Sequence, residues 1–235
     1  MAKREWATEE KRLNTDLGII VAISLCVLGV YIALQNQLMP IWRDGSINIL
    51  RRLLLAASFQ FGLAGLGITI VCVIRKESFL SFGLRAKGTI LSICLCVLCF
   101  VPNIIFTAVM GDFKSYLPLQ MVDTTREILA SGFPINATGM ILTAIVWGFF
   151  EGFNYVVISD KINKRFPSKN RWLNWGAIIC AVLCILIHGA IGITPEGIIE
   201  MLTILIIIYG MLMVKDYTKN AWGCVFIFVL LWNAF

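Results

Sequence analysis

Charge is scarce in this sequence, proline is rare and histidine is all but absent. Only 14% of the 235 residues are charged while 59% are hydrophobic, and mean hydropathy is +0.85. A soluble domain of this length has too much surface to cover with so few charges, so that class is excluded. The one histidine, His188, argues against a zinc site, which draws on several His and Cys ligands. The eight cysteines show neither a disulfide framework nor a zinc spacing. All eight fall inside apolar runs, where they read as small packing residues. No cofactor is implied. Internal repeats and low-complexity tracts are missing too, which argues against a solenoid or a linker-rich protein.

What the sequence has is long apolar runs. Leu53 to Ile74 holds no charge, and Gln60 is its only strongly polar side chain. About 20 such residues suffice to cross hydrocarbon. Runs of this kind predict an all-α integral membrane protein, a bundle of about seven helices over 17–34, 53–74, 89–111, 137–159, 174–193, 198–214 and 221–235. The basic residues fix an expected orientation. Lys3, Arg4, Lys11, Arg12, Arg75, Lys76, Arg85, Lys87, Lys161, Lys164, Arg165, Lys169, Arg171, Lys215 and Lys219 fall on one side. Arg43, Arg51, Arg52, Lys114 and Arg126 fall on the other. The positive-inside rule then places the N-terminus in the cytoplasm. The net charge of +6 thus reports topology and gives no reason to invoke nucleic acid; the expected surroundings are a lipid bilayer.

Residues 1–16 read as a cytoplasmic segment and 17–235 as one transmembrane domain. The first span is long for a signal peptide and no small-residue cleavage site follows it, so it reads as a retained helix. The loops 35–52 and 112–136 read either as short interfacial helices or as plain extramembrane loops. Ala57, Ser58, Gly62 and Gly65 suit close helix approach. Trp172, Trp175 and Trp222 stand where an aromatic belt is expected.

Three polar residues interrupt the apolar pattern: Glu151 in the fourth span, His188 in the fifth and Asn233 near the end of the seventh. A carboxylate near the middle of a bilayer costs about 2.5–3.5 kcal/mol on insertion scales, so it asks for a reason. Counted inward at about 1.5 Å per residue, all three lie roughly 14–20 Å deep, in one layer. A carboxylate able to accept a proton, an imidazole to orient water and an amide to steady an oxyanion suit hydrolysis of a carbonyl compound. The competing reading is polar glue between helices.

The last hundred residues or so, about 137–235, resemble the CAAX protease and bacteriocin-processing (Abi) family of intramembrane glutamate proteases. The family's Glu-Glu-x-x-x-Arg is approached by Glu151-Gly152-Phe153-Asn154-Tyr155-Val156. Its Phe-x-x-x-His is approached by Cys184-Ile185-Leu186-Ile187-His188, and its last motif by Val229-Leu230-Leu231-Trp232-Asn233. Ser81-Phe82-Gly83-Leu84-Arg85 is similar to a short element preceding the family core, and Thr218 to Gly223 to the lead-in of the last motif. A shifted register makes Glu151 the second glutamate; the unshifted one sets Tyr155 on the family's aromatic position. The resemblance implies a multi-pass protein of a prokaryotic cell membrane, cleaving peptides or proteins in or at the bilayer. It implies Glu151, His188 and Asn233 as catalytic residues. Gly152, Val156 and Val229 replace motif residues, so the alternatives are a weakened or inactive protease and a non-catalytic immunity or scaffold protein. A small proton-coupled transporter is a further alternative, against which the missing inverted repeat speaks.

Overall fold

In hydrocarbon a single segment can satisfy its own backbone N–H and C=O groups only as a helix. The computed structural model of the chain describes residues 2–113 and 115–235, with no strand among them. α1 (Ala2–Arg43) is followed by α2 (Ile49–Phe61), a π-helical segment (Gly62–Leu66) and α3 (Gly67–Arg75) in one continuous rod. α4 is Thr89–Met110 and the short α5 is Thr125–Ala130. A second rod joins α6 (Ile135–Thr143), a π-helical segment (Ala144–Phe150) and α7 (Glu151–Arg165). α8 (Trp175–Ile187), α9 (Pro195–Thr218) and α10 (Trp222–Leu230) complete the order.

Five helices, Thr8–Arg43, Ile49–Arg75, Thr89–Met110, Ile135–Arg165 and Pro195–Thr218, are long and apolar enough to cross a membrane. Ile90 and Val109 are each 79% exposed, and Val73 and Ile187 more than 70%, on the outer faces of the bundle. Side chains of that size on an unpaired face are solvated by lipid. The chain is an all-α, multi-pass membrane protein.

The two remaining expected spans are helical but short. α8 has 13 residues and α10 has 9. At about 1.5 Å per residue neither reaches the roughly 30 Å of hydrocarbon. α8 stops because Gly189 takes φ +65°, and the Ala190 N–H donates back to the Ile185 carbonyl at 3.0 Å. A left-handed glycine is the usual helix terminator.

Both expected loops are more structured than the sequence suggested. α1 runs through Pro40 to Arg43, and Asn48 caps α2 by accepting from the Leu50 N–H at 3.0 Å. In the other loop, α5 buries Ile128 completely, against Ile49 and Leu53. It is a packed element of the bundle, and an Arg52–Glu127 ion pair ties it to α2.

The segments assigned to one side of the membrane meet at one end of the bundle. Arg12 pairs with Glu77, Lys161 with Asp16 and Glu77, Arg165 with Glu10, and Lys215 with Asp160. Five of the eight cysteines are buried as expected and Cys99 is half-buried, whereas Cys26 and Cys94 are exposed on the outer face.

α10 reaches the core by packing onto a Gly-x-x-x-Gly face. A Cβ on Gly148 would lie 2.5 Å from Val229 Cγ2, and one on Gly152 would lie 3.0 Å from the Cys224 carbonyl oxygen. Small residues four apart let two backbones approach this closely. Gly152→Leu is therefore expected to lower stability by about 3 kcal/mol, the upper part of the usual overpacking range. Reversible unfolding in mixed micelles measures it, with Gly132→Leu, where nothing lies within 4 Å, as the neutral control.

Candidate active site

A glutamate in a bundle interior needs partners, and Glu151 has two. It is the first residue of α7, directly after the π-helical turn 144–150, and is 7% exposed. One carboxylate oxygen, Oε2, accepts from the Gln60 amide Nε2 at 2.8 Å. The other, Oε1, faces His188 Nε2 at 3.6 Å. That separation is beyond a direct hydrogen bond, and it is within the span that one shared proton-transfer partner could bridge.

Irregular backbone presents each of these groups. Gln60 stands two residues before the first π-helical segment and Glu151 immediately after the second. Such π-bulges turn side chains out of helical register and are frequent at functional sites. The first is held by α1, whose Ser24 hydroxyl donates to the Leu63 carbonyl at 2.9 Å. Phe61 and Phe150 lock the two segments together edge to face, with ring centroids 4.8 Å apart. His188 is the C-cap of α8, its N–H donating to the Cys184 carbonyl at 3.0 Å. Its side chain is 40% exposed, so the imidazole joins the buried carboxylate to a more open region.

Sequence reasoning placed Glu151, His188 and Asn233 in one layer, and the structure brings the first two together. No hydrogen bond joins the Asn233 side chain to either. α10 ends at Leu230, and residues 231–233 form a turn instead of another helical turn. The Asn233 carbonyl accepts from the Met121 N–H at 3.0 Å, and the Leu117 N–H donates to the Ala234 carbonyl at 3.0 Å. The Asn233 side chain hydrogen-bonds to no described residue. Its neighbour Trp232 does reach the site, edge to face on His188 with centroids 5.7 Å apart and stacked on Phe228.

Gln60 is the site residue that was missed. Its signal was present, since it is the sole strongly polar side chain in the run 53–74. Among the described residues no group of three or more His, Cys, Asp or Glu side chains is placed to hold a metal ion. The chemistry on offer is that of a carboxylate fixed at one oxygen by an amide, with an imidazole beside the other. Set against known proteins, the chain matches no family model, no curated protein and no solved structure.

Proposed function

We propose that Glu151 and His188 activate water for hydrolysis of an amide carbonyl at the membrane, making the chain an intramembrane peptidase of the CAAX-protease kind. The observation that carries this reading is the buried carboxylate with an imidazole 3.6 Å from its unbonded oxygen. Glu151 Oε1 takes a proton from water, and the resulting hydroxide adds to the carbonyl carbon. The proton then passes to the departing amine as the C–N bond breaks, leaving a new carboxyl and a new amino terminus. His188 orients the water and shuttles the proton. Gln60 is a positioning residue: by holding Oε2 it leaves Oε1 as the base. Asn233 is the oxyanion donor that the resemblance implies, and in this role its amide turns toward the reacting carbonyl.

The purified protein in lipid nanodiscs, given a single-pass peptide in 18O-labelled water, tests the proposal. Water attack puts one 18O into the new carboxyl. His188→Ala is expected to slow release about a hundredfold, the lower end of general acid–base contributions. Cleavage without incorporation, or at full rate in that variant, would overturn the reading. Gln60→Leu is expected to reduce kcat about tenfold, because the carboxylate loses its orienting donor.

A second reading is a non-catalytic membrane protein with the same polar clamp. It is favoured by the Gln60 amide bonding Glu151 directly and by Gly152, where α10 leaves no space for a second carboxylate. It expects biological function to survive Glu151→Gln and His188→Ala together.

A further inference from the structure

The loop 166–174, which joins α7 to α8, lies against α9. The Tyr209 hydroxyl donates to the Trp172 carbonyl, and within the loop the Ser168 hydroxyl accepts from the Asn170 N–H at 3.1 Å. Amides fix its base. Asn163 Nδ2 donates to Asn174 Oδ1 at 2.7 Å, Asn174 Nδ2 donates to Asp216 Oδ2 at 2.6 Å, and the Gly176 N–H donates to Asn163 Oδ1 at 2.8 Å. Between loop and helix this framework leaves a cavity of about 310 Å³, with Asn170, Arg171, Leu173, Met213, Tyr217 and Lys219 in its walls. That volume is at the small end of the range for ligand pockets.

The charges in the cavity do not balance. Asp216 is the one carboxylate in the lining, and it is engaged: Oδ2 accepts from Asn174 and Oδ1 pairs with Lys215 Nζ at 3.3 Å. Lys215 also pairs with Asp160, and Asp160 with Lys164, so these four charges cancel. Arg171 and Lys219 stand outside that network. Both are exposed, both line the cavity, and neither pairs with a described carboxylate. Two accessible cations are left over.

Their geometry suits a phosphate. The Arg171 guanidinium carbon lies 5.1 Å from the centre of the Tyr217 ring. A guanidinium held by its face keeps the N–H groups along its edge free, and that edge matches two oxygens of one phosphate. Asn170 adds a donor, since Oδ1 accepts from the Trp172 N–H at 3.0 Å while Nδ2 donates to no described residue. The end of α9 would oppose an anion, but its Thr218 carbonyl is already taken by Arg85 Nη2 at 2.9 Å.

The surroundings say where the phosphate comes from. Trp172 is 74% exposed, and Trp175 and Tyr217 are exposed as well. Such aromatics gather at headgroup level. Leu173 and Met213 give the same cavity an apolar side. Basic residues favour one end of a membrane bundle whatever their task. A stacked guanidinium, a second unpaired cation and an apolar wall around one cavity go beyond that bias.

We infer that this cavity holds the phosphate of an anionic phospholipid, with Arg171, Lys219 and Asn170 on its oxygens and the acyl chains leaving past Leu173 and Met213. Binding there is independent of any chemistry at Glu151.

The full chain in neutral detergent micelles, titrated with phosphatidylglycerol and read by native mass spectrometry, tests the site. One lipid should be retained about tenfold more tightly than phosphatidylcholine, because two cations act at the headgroup. Arg171→Gln and Lys219→Gln should each weaken it about fivefold. Arg171→Lys should weaken it about threefold, since the charge stays while the flat fork is lost. Lys76→Gln removes an equally exposed charge outside the cavity and should bind like the parent. None of these three residues is buried, so the melting transition should stay at the parent's value. Equal retention of phosphatidylcholine, parental binding by Arg171→Lys, or equal losses in the Lys76 and Arg171 variants would leave only diffuse attraction and overturn the site. Displacement by inorganic phosphate at the lipid's own concentration would overturn the lipid source and assign the cavity to a free anion.

Discussion

Glu151→Gln is expected to reduce peptide hydrolysis by about a thousandfold or more, within the range that general base catalysis supplies together with water positioning. The substitution changes one atom of a side chain that is 7% exposed. Its carbonyl oxygen still accepts from Gln60, which now donates at 2.8 Å to Oε2, so packing and the link to α2 survive. What disappears is the ability of Oε1 to take a proton beside His188. Stability should therefore move by less than about 1 kcal/mol, the scale of one neutral hydrogen bond. That separation between activity and folding is what distinguishes a base from helix glue. If the carboxylate only joined α7 to α2 and α8, the amide would do so nearly as well, and no activity would be lost. Initial rates of peptide release and the melting transition, measured on the same nanodisc preparation, read the two effects apart. Full activity in the variant would end the assignment of Glu151 as base.

The helices were legible because a lipid-solvated segment must be apolar along its whole length, and that constraint is written residue by residue. The meeting of Glu151 with His188 was legible as well, for a geometric reason. α7 and α8 are consecutive and antiparallel, so similar depths from a shared end put two residues at one level. For Asn233 the count assumed helix to residue 235, whereas α10 unwinds after Leu230. No proline or glycine after Leu230 announces that stop. The end of α8 did have a mark in Gly189, hidden inside an otherwise apolar stretch. The two π-helical segments carry no composition of their own; the first packs on α1 and the second on α10. Gln60 was visible as an anomaly, yet nothing in its span could say that its partner lies 91 residues away. Trp42 fell in the stretch 35–52, open between an interfacial helix and a plain loop, because a proline at 40 reads as a helix end whereas α1 continues through it to Arg43.

Asp16→Leu is expected to cost about 3–5 kcal/mol, the loss usual when one member of a buried charge network is removed. Asp16 is fully buried in α1 and receives Arg75 Nε at 2.7 Å and Lys161 Nζ at 2.9 Å. Lys161 is itself 2% exposed and reaches Glu77 at 3.0 Å, and Glu77 in turn pairs with Arg12. Three sequence-distant helices, α1, α3 and α7, are thus joined through one carboxylate. Without it, Lys161 keeps only Glu77 while remaining sealed from water, which is the costly part of the change. The sign of the argument can be checked by removing both charges. Asp16→Leu with Lys161→Met should be more stable than Asp16→Leu alone, because no buried ammonium is left to desolvate. Equal stability of the single and double variants would mean that the loss comes from packing and not from the stranded charge. Lys161 lies on the same helix as Glu151, so the single variant also loosens the rod that carries the carboxylate. Hydrolysis should then fall in proportion to the folded fraction and recover in the double variant.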